Sequence, residues 1–128
     1  DDDGYFGGTL RLAAGAARCD ASPAWLSWIG AEAAIGLLSA LPASAAEQHC
    51  LALAAAFLDA APEAGAVPVS TGQPSHIAVV RVTDPDAVRT RLRSCGVRAR
   101  VLGDRLRVGF HYFNNQEDVT AVLGALRG

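Results

Sequence analysis

"VRARVLGDRLRVGF", residues 97–110, decides the fold, because two alternating segments flank the dipeptide Gly103-Asp104. Apolar and polar residues alternate on both sides of this dipeptide, with the period of two that is typical of β-strands. A two-residue turn fixes how the strands pair. The expected partners are Leu102 and Arg105, Val101 and Leu106, and Arg100 and Arg107. We therefore predict an antiparallel hairpin of strands 97–101 and 105–110.

The hairpin has two chemically different faces. The face predicted to meet the core carries Val97, Ala99, Val101, Leu106, Val108 and Phe110. The other face carries Arg98, Arg100, Arg105, Arg107 and His111. Opposed arginines repel each other unless water or an anion lies between them, and arginine binds carboxylates through paired hydrogen bonds. The pattern leaves two alternatives open, a solvated face and an anion-binding site.

Residues around the hairpin complete a β-α-β-β-α order. The β-branched segment 76–82 predicts a strand. Asp84-Pro85 begins a helix that Gly96 ends, and Asn115 caps the last helix. This order predicts a small α+β unit in which helices back an antiparallel sheet.

The first half of the chain is helical in pattern. Ser22 and Pro23 are predicted to begin a helix that reaches about residue 41, and Ser44 with Glu47 forms a capping box for a second helix over 44–60. Trp25 and Trp28, three residues apart on the first helix, are expected to pack in a core or at a dimer interface. Residues 62–75 are predicted to form a loop. The expected organisation is one domain over 1–128, with a helical segment at 1–61 and an α+β unit at 62–128.

Composition narrows the classes of function. Hydrophobic residues make up 51% of the 128 residues, so the chain can bury a core. A formal net charge of -2 gives no whole-chain footprint for nucleic acid or for an acidic membrane surface. The longest apolar run, residues 51–58, is too short to span a bilayer, and the acidic start predicts no signal peptide. We expect a cytoplasmic protein without nucleic-acid or membrane partners.

Cysteine, histidine and lysine usage narrows the chemistry. Cys19, Cys50 and Cys95 lack C-x-x-C spacing, which argues against a disulfide framework and a metal site. Cys50 and Cys95 are predicted to be packed, inert thiols, and His49 is expected to be solvated. The sequence contains no lysine.

Four stretches of the chain resemble a known family. "LRVGFHYFNNQEDVTAVLGAL" (106–126) is similar to the end of class V aminotransferases, the pyridoxal-phosphate family of cysteine desulfurases, selenocysteine lyase and isopenicillin-N-epimerase-like proteins. "RCDASPAWLSWIGAEAAIGLL" (18–38) resembles the segment that leads into the long helix of that family. "SHIAVVRV" (75–82) and "LRSCGVRARV" (92–101) are similar to the strand-helix-strand between them. The likeness covers nearly the whole chain and implies the small domain of a fold-type I enzyme.

The resemblance implies roles for individual residues. Arg107 matches the arginine that binds the substrate α-carboxylate, and Ser22 matches a hydroxyl near the cofactor phosphate at a dimer interface. His111, on the arginine side of the hairpin, is a further candidate for the substrate pocket. Two positions depart from the family pattern: Ala21 replaces a glycine, and Gly109 replaces a serine.

The missing lysine limits what this chain can do alone. Pyridoxal-phosphate enzymes hold the cofactor as a Schiff base on lysine. The resemblance therefore implies a non-catalytic C-terminal domain of a longer, homodimeric enzyme that acts on an amino acid, with the cofactor-binding domain supplied elsewhere. Desulfurases carry a nucleophilic cysteine between the last two strands, where this chain has only Gly103-Asp104. Aminotransferase, epimerase-like or C–S lyase chemistry stays open.

A second function class competes with this one. A stand-alone α+β binding module would use the same arginines to recognise an acidic metabolite or protein partner. A lysine-bearing cofactor domain upstream in the same reading frame would favour the enzyme.

Overall fold

The computed structural model describes residues 13–16, 24–69 and 72–127, and these ranges divide between two compact units, residues 1–38 and 39–128. Helices and strands follow each other along the chain in this order: α1 Trp25–Ser39, α2 Ala43–Ala60, a 3₁₀ turn Pro62–Ala64, β1 Val67–Pro68, β2 Ile77–Arg81, α3 Pro85–Ser94, β3 Arg100–Leu102, β4 Arg105–Gly109 and α4 Gln116–Arg127. The predicted α+β class with a small antiparallel sheet is confirmed. By internal contacts α2 belongs to the second unit, whereas the sequence pattern grouped it with the N-terminal helical segment.

The first unit contains α1, a helix with no buried residue. Its apolar side chains are spread around the whole circumference, so no polar face is set against an apolar one. Large exposed side chains include Trp25, Leu26, Trp28, Ile29, Ile35, Leu37 and Leu38. No single helix in the described ranges is long and apolar enough to cross a membrane; only α1 and α2 taken together, as a broken pair, reach that length and composition.

The second unit is built on a four-stranded antiparallel sheet with strand order β1-β2-β4-β3. The predicted hairpin register is confirmed, with Arg100 opposite Arg107 and Val101 opposite Leu106. Gly103, in the turn, has a φ of 56°, a left-handed conformation that glycine adopts without a steric penalty. Because β4 is hydrogen-bonded on both sides, it is held more firmly than the edge strand β3.

A single core lies between one face of the sheet and helices α2, α3 and α4. Phe57 of α2 is fully buried, and its ring centroid lies 6.0 Å from that of Phe110, just after β4. The other residues that the sheet and α4 bury include Ala78, Val80, Leu106, Val108, Val119, Val122 and Leu126. The predicted core face of the hairpin is confirmed: Leu106, Val108 and Phe110 are buried, and Val97, Ala99 and Val101 pack partly buried against the core.

Strand β3 starts later than the predicted residue 97, and the end of α3 gives the reason. The N–H of Val97 donates to the carbonyl of Leu92 at 2.8 Å, and the N–H of Gly96 donates to that of Arg93 at 3.1 Å. This pair of bonds, with Gly96 at a φ of 70°, is the Schellman closure of a helix. The backbone of Val97 therefore completes the helix, and ladder pairing with β4 begins only at Arg100.

Two further expectations were wrong. The loop predicted over 62–75 contains β1, an edge strand in which Pro68 is tolerated because one side of the strand has no ladder partner. The predicted capping box of α2 does not form. That helix begins at Ala43 after Pro42, with no side-chain cap, and Ser44 lies inside it. Proline before the helix supplies the boundary that the Ser44–Glu47 pair was expected to supply.

Candidate anion-binding site

Strand β4 places Arg107 on the face of the sheet opposite the helices. Its neighbours Leu106 and Val108 are buried, so the alternation of the strand leaves Arg107 exposed on the other side. Its register partners are Arg100 on β3 and Val79 on β2. We use the term open face for this side of the sheet, which carries Arg81, Arg100, Arg105 and Arg107.

The arginines of the open face differ in how their charge is balanced. Arg81 pairs with Asp104 of the hairpin turn, with 2.9 Å between Nε and Oδ2. Arg100, Arg105 and Arg107 have no ion pair with any acidic side chain in the ranges that the structure describes. Arg81 was not among the predicted residues; its position opposite Arg105 in the β2–β4 register makes it part of the same face.

A groove runs beside Arg107, between β4 and the segment that enters β3. We call it the arginine groove; it has a volume of about 540 Å³ and is lined by Arg93, Val97, Arg98, Ala99, Arg100, Arg107 and Gly109. Val97 and Ala99 pack toward the core, so the alternating residues Arg98 and Arg100 project to the exposed side. Four guanidinium groups thus border one groove that contains no acidic lining residue.

His111 borders a second cleft, which begins where the first ends. Because residues 97–99 do not pair with β4, a gap of about 580 Å³ opens between them and the start of α4. We call this gap the loop cleft; its lining includes Cys95, Arg98, Gly109, His111, Phe113, Asn114 and Asp118. Val97, Arg98 and Gly109 line both spaces. The two predicted substrate residues, Arg107 and His111, therefore border adjoining clefts that meet at Gly109.

The turn after β4 is an exposed aromatic cluster. The ring of His111 stacks on that of Phe113 with 4.9 Å between centroids, and the ring of Tyr112 meets both edge-on. The backbone N–H of His111 donates to Oδ1 of Asn114 at 2.8 Å. Nε2 of His49 on α2 lies 2.8 Å from the carbonyl oxygen of Asn114 and donates to it in the Nε2–H tautomer. His49 is exposed, as predicted, but it also fixes the turn to α2, a contact that no local sequence pattern indicates.

A reciprocal cap orders the start of α4. Asn115 Oδ1 accepts from the N–H of Glu117 at 2.7 Å, which confirms the predicted cap. Asp118 Oδ2 accepts in return from the N–H of Asn115 at 2.9 Å and from Asn114 Nδ2 at 3.1 Å. These two bonds, the backbone one first, hold the pKa of Asp118 below its usual value. The loop cleft is consequently bordered by one carboxylate, Asp118, and one guanidinium, Arg98.

The remaining predicted residues are placed as follows. Ser22, the predicted cofactor contact, and Cys19 lie outside the described residues. Cys95 is exposed, so the prediction of a packed thiol was wrong: it follows the last helical residue, Ser94, and the closing turn rotates it off the apolar face of α3. Cys50 is partly buried. Among the side chains that the structure describes, no group of His, Cys, Asp or Glu is arranged to hold a metal ion.

Comparisons with known proteins give no assignment. Scans against protein-family models, curated proteins and solved structures each returned no match for this chain.

The chemistry of the site follows from its donors. Each guanidinium offers several N–H donors in a planar fork that fits a carboxylate, and it keeps its charge at any physiological pH. The arginine groove is open to solvent, and its floor at Gly109 has no side chain. A Cβ built at Gly109 would meet no atom within 4 Å, so the space there is free. The arrangement is suited to binding a small anion and orienting the rest of the molecule across Gly109.

Proposed function

We propose that this chain is the substrate-carboxylate-binding domain of a pyridoxal-phosphate enzyme of the class V aminotransferase family, acting on an amino acid. The observation that carries the proposal is the position of Arg107. It lies on β4, one of the two inner strands of the sheet, and is exposed. It lines a groove with other arginines and has no acidic partner in the described ranges. An arginine in this setting can bind a carboxylate through two hydrogen bonds without first breaking an internal ion pair.

The residue pattern around Arg107 supports the same proposal. The elements follow each other in the order that the resemblance implies. Helix α1 comes first, β2, α3 and β3 form the strand-helix-strand, and β4 completes the hairpin before the capped helix α4. The aromatic-Asn-Asn turn is built as an ordered unit, with Asn114 and Asn115 both engaged in hydrogen bonds. His111 borders the cleft next to the arginine groove, within reach of a molecule that extends past Gly109.

The residues of this chain do not fit a covalently held cofactor. Pyridoxal phosphate, when bound, supplies an electron sink for bonds at the α-carbon of an amino acid. Its Schiff base needs a lysine, and this sequence has none. We therefore assign this chain carboxylate binding and substrate orientation only, and assign the cofactor to a separate domain in a cytoplasmic homodimer.

A second candidate is a binding module that recognises an acidic metabolite or protein partner. It is favoured by one observation: every residue that lines the arginine groove comes from the second unit, so the groove is complete without another domain. Such a module would need neither a cofactor nor catalytic residues.

The coding sequence upstream of Asp1 separates the two candidates. The enzyme requires a cofactor-binding domain in the same reading frame, with a lysine placed to carry the cofactor. A start codon close to Asp1, with no such domain before it, would contradict the proposal and support the binding module.

A further inference from the structure

We propose that the arginine groove binds a second carboxylate of the same ligand, so that the preferred substrate is a dicarboxylic amino acid. This inference rests on the proposed function, because it takes Arg107 as the site of the first carboxylate. It concerns the rest of the ligand, which would extend from Arg107 along the same groove, past Gly109, to Arg98.

The spacing of the arginines suits two anionic groups. Arg100 is the register partner of Arg107, and partners across antiparallel strands have Cα atoms about 4.5–5.5 Å apart. Arg98, two residues before Arg100, is exposed and lines the same groove, and two residues span at most about 7 Å of chain. One carboxylate on Arg107 therefore leaves the guanidinium of Arg98 free for a second carboxylate a few bonds away.

Gly109 supplies the room that a longer ligand needs. It follows Arg107 by two residues on the same side of β4 and lines the groove between Arg107 and Arg98. Its φ is not in the left-handed region and nothing lies within 4 Å of a Cβ built there, so neither backbone conformation nor close packing requires glycine at this position. A ligand chain therefore has room to pass over Gly109 between the cations that border the groove.

The negative charge of Asp118 makes the loop cleft less favourable for a second carboxylate than the arginine groove. Asp118 borders the loop cleft and is held ionised by its hydrogen bonds to Asn115 and Asn114. A second carboxylate that entered the loop cleft would approach this negative charge, whereas the arginine groove has no acidic lining residue. The field along the two clefts thus directs an acidic side chain toward Arg93, Arg98 and Arg100.

The test compares acetate with succinate, as probes with one and two carboxylates. Both are titrated into the intact chain at fixed ionic strength, since salt screens exposed charges, and the backbone amide shifts give the two dissociation constants. We expect succinate to bind at least about tenfold more tightly than acetate, because each charge-assisted hydrogen bond is among the stronger polar contacts. Arg98→Ala should abolish the preference for succinate while leaving acetate binding in place.

Two variants distinguish a built groove from general attraction to positive charge. Arg105→Ala removes the same charge from the open face but does not line the groove, so the preference for succinate should persist. Gly109→Val keeps every arginine and fills the floor, so it should remove the preference without removing charge. If Arg105→Ala lowers the preference as much as Arg98→Ala, or if Gly109→Val leaves it unchanged, the inference is overturned.

Failure of this inference and failure of the proposed function give different results. If acetate and succinate bind equally tightly and Arg107→Ala abolishes the binding of both, the second carboxylate site is overturned. The same result supports a single carboxylate site at Arg107. Binding of both probes that is unaffected by Arg107→Ala overturns the proposed role of Arg107, and the second site with it.

Discussion

Arg100 and Arg107 are direct register partners across β3 and β4, and both side chains are exposed on the same face of the sheet. Like charges placed opposite each other on neighbouring strands destabilise a sheet by roughly 0.2–1 kcal/mol relative to neutral pairs. No acidic side chain in the described part of the chain forms an ion pair with either of them. The hairpin therefore carries a small electrostatic cost that water screens in part and that a bound anion would remove.

The cap of α4 gives the first prediction. Asn115→Ala should lower the free energy of unfolding by about 1 kcal/mol, the usual effect of losing an N-cap oxygen. The Oδ1 of Asn115 accepts from the N–H of Glu117, and alanine leaves that donor to solvent. Urea unfolding followed by circular dichroism measures the change. Gln116→Ala is the matched control, because no side-chain hydrogen bond of Gln116 occurs within the described residues; an equal loss in both variants would contradict the cap.

Asp118 makes the stability of the turn depend on pH. Its pKa is lowered in the folded chain, first by the backbone N–H of Asn115 and then by the side chain of Asn114. A lowered pKa contributes stability that is fully present above the usual value of 3.8 and that is lost as the pH falls through the lower folded value.

We therefore expect Asp118→Asn to narrow the difference in melting temperature between pH 6 and an acidic buffer below about pH 4, the range in which aspartate titrates. Thermal melts of the two proteins at a series of pH values measure this. Glu117→Gln serves as the control, since its side chain forms no cap contact. The same acid dependence in the original chain and in Asp118→Asn would show that other carboxylates cause it.

The hairpin was predictable because its information is local. A period of two, one dipeptide turn and one buried face determine register together, and shifting the pairing by one residue would expose Leu106 and Val108. The cap at Asn115 was predictable for the same reason, since Asn115 and the donor it accepts from are two residues apart. The presence of arginines on one face followed directly from this register.

The structural features that the sequence did not predict depend on contacts between residues that the local pattern does not connect. The late start of β3 results from hydrogen bonds that end α3, and the exposure of Cys95 results from the same turn. The contact of His49 with Asn114 joins residues 65 positions apart. The loop cleft beside His111 exists because residues 97–99 leave the ladder. A two-residue edge strand such as β1 is too short to produce a pattern.

Helix α1 gives a prediction about association. Its apolar side chains are exposed, and a continuous apolar surface of more than a few hundred Å² is typical of interfaces. We expect the chain to associate as its concentration rises, with growing light scattering. Trp25 and Trp28, 72% and 69% exposed, are the two tryptophans of the chain, so their emission should shift to shorter wavelength at the same time.

Charged substitutions test whether α1 causes this association. Ile35→Glu should reduce it, because a carboxylate is costly to bury in an apolar contact. Ala52→Glu adds the same charge at an exposed position of α2 and should leave it unchanged. A chain that stays monomeric at high concentration with both tryptophans protected from solvent would contradict the prediction.

The absence of lysine predicts that this chain alone forms no covalent cofactor adduct. After incubation with pyridoxal phosphate and reduction by borohydride, mass spectrometry should detect no stoichiometric adduct on a side chain, because no side-chain primary amine is present. A pyridoxal-phosphate enzyme with a known Schiff-base lysine is the positive control and should be labelled. A reduced adduct on a side chain of this chain would overturn the proposed assignment of the cofactor to a separate domain.

Substitution of Arg107 in the proposed parent enzyme is the most direct test of the proposed function. Arg107→Ala should lower kcat/KM by about tenfold or more, since a hydrogen bond to a charged group contributes roughly 1.5–3 kcal/mol. The melting temperature should change little, because the side chain is exposed and its removal relieves the repulsion with Arg100. Arg107→Lys should restore only part of the activity, because an ammonium group lacks the planar fork.

Arg100→Ala is the matched control: it removes the register partner with the same change of charge and should cost less activity. If Arg107→Ala retains its catalytic efficiency, or if Arg100→Ala is the more damaging change, the carboxylate does not bind at Arg107 and the open face is a solvated surface.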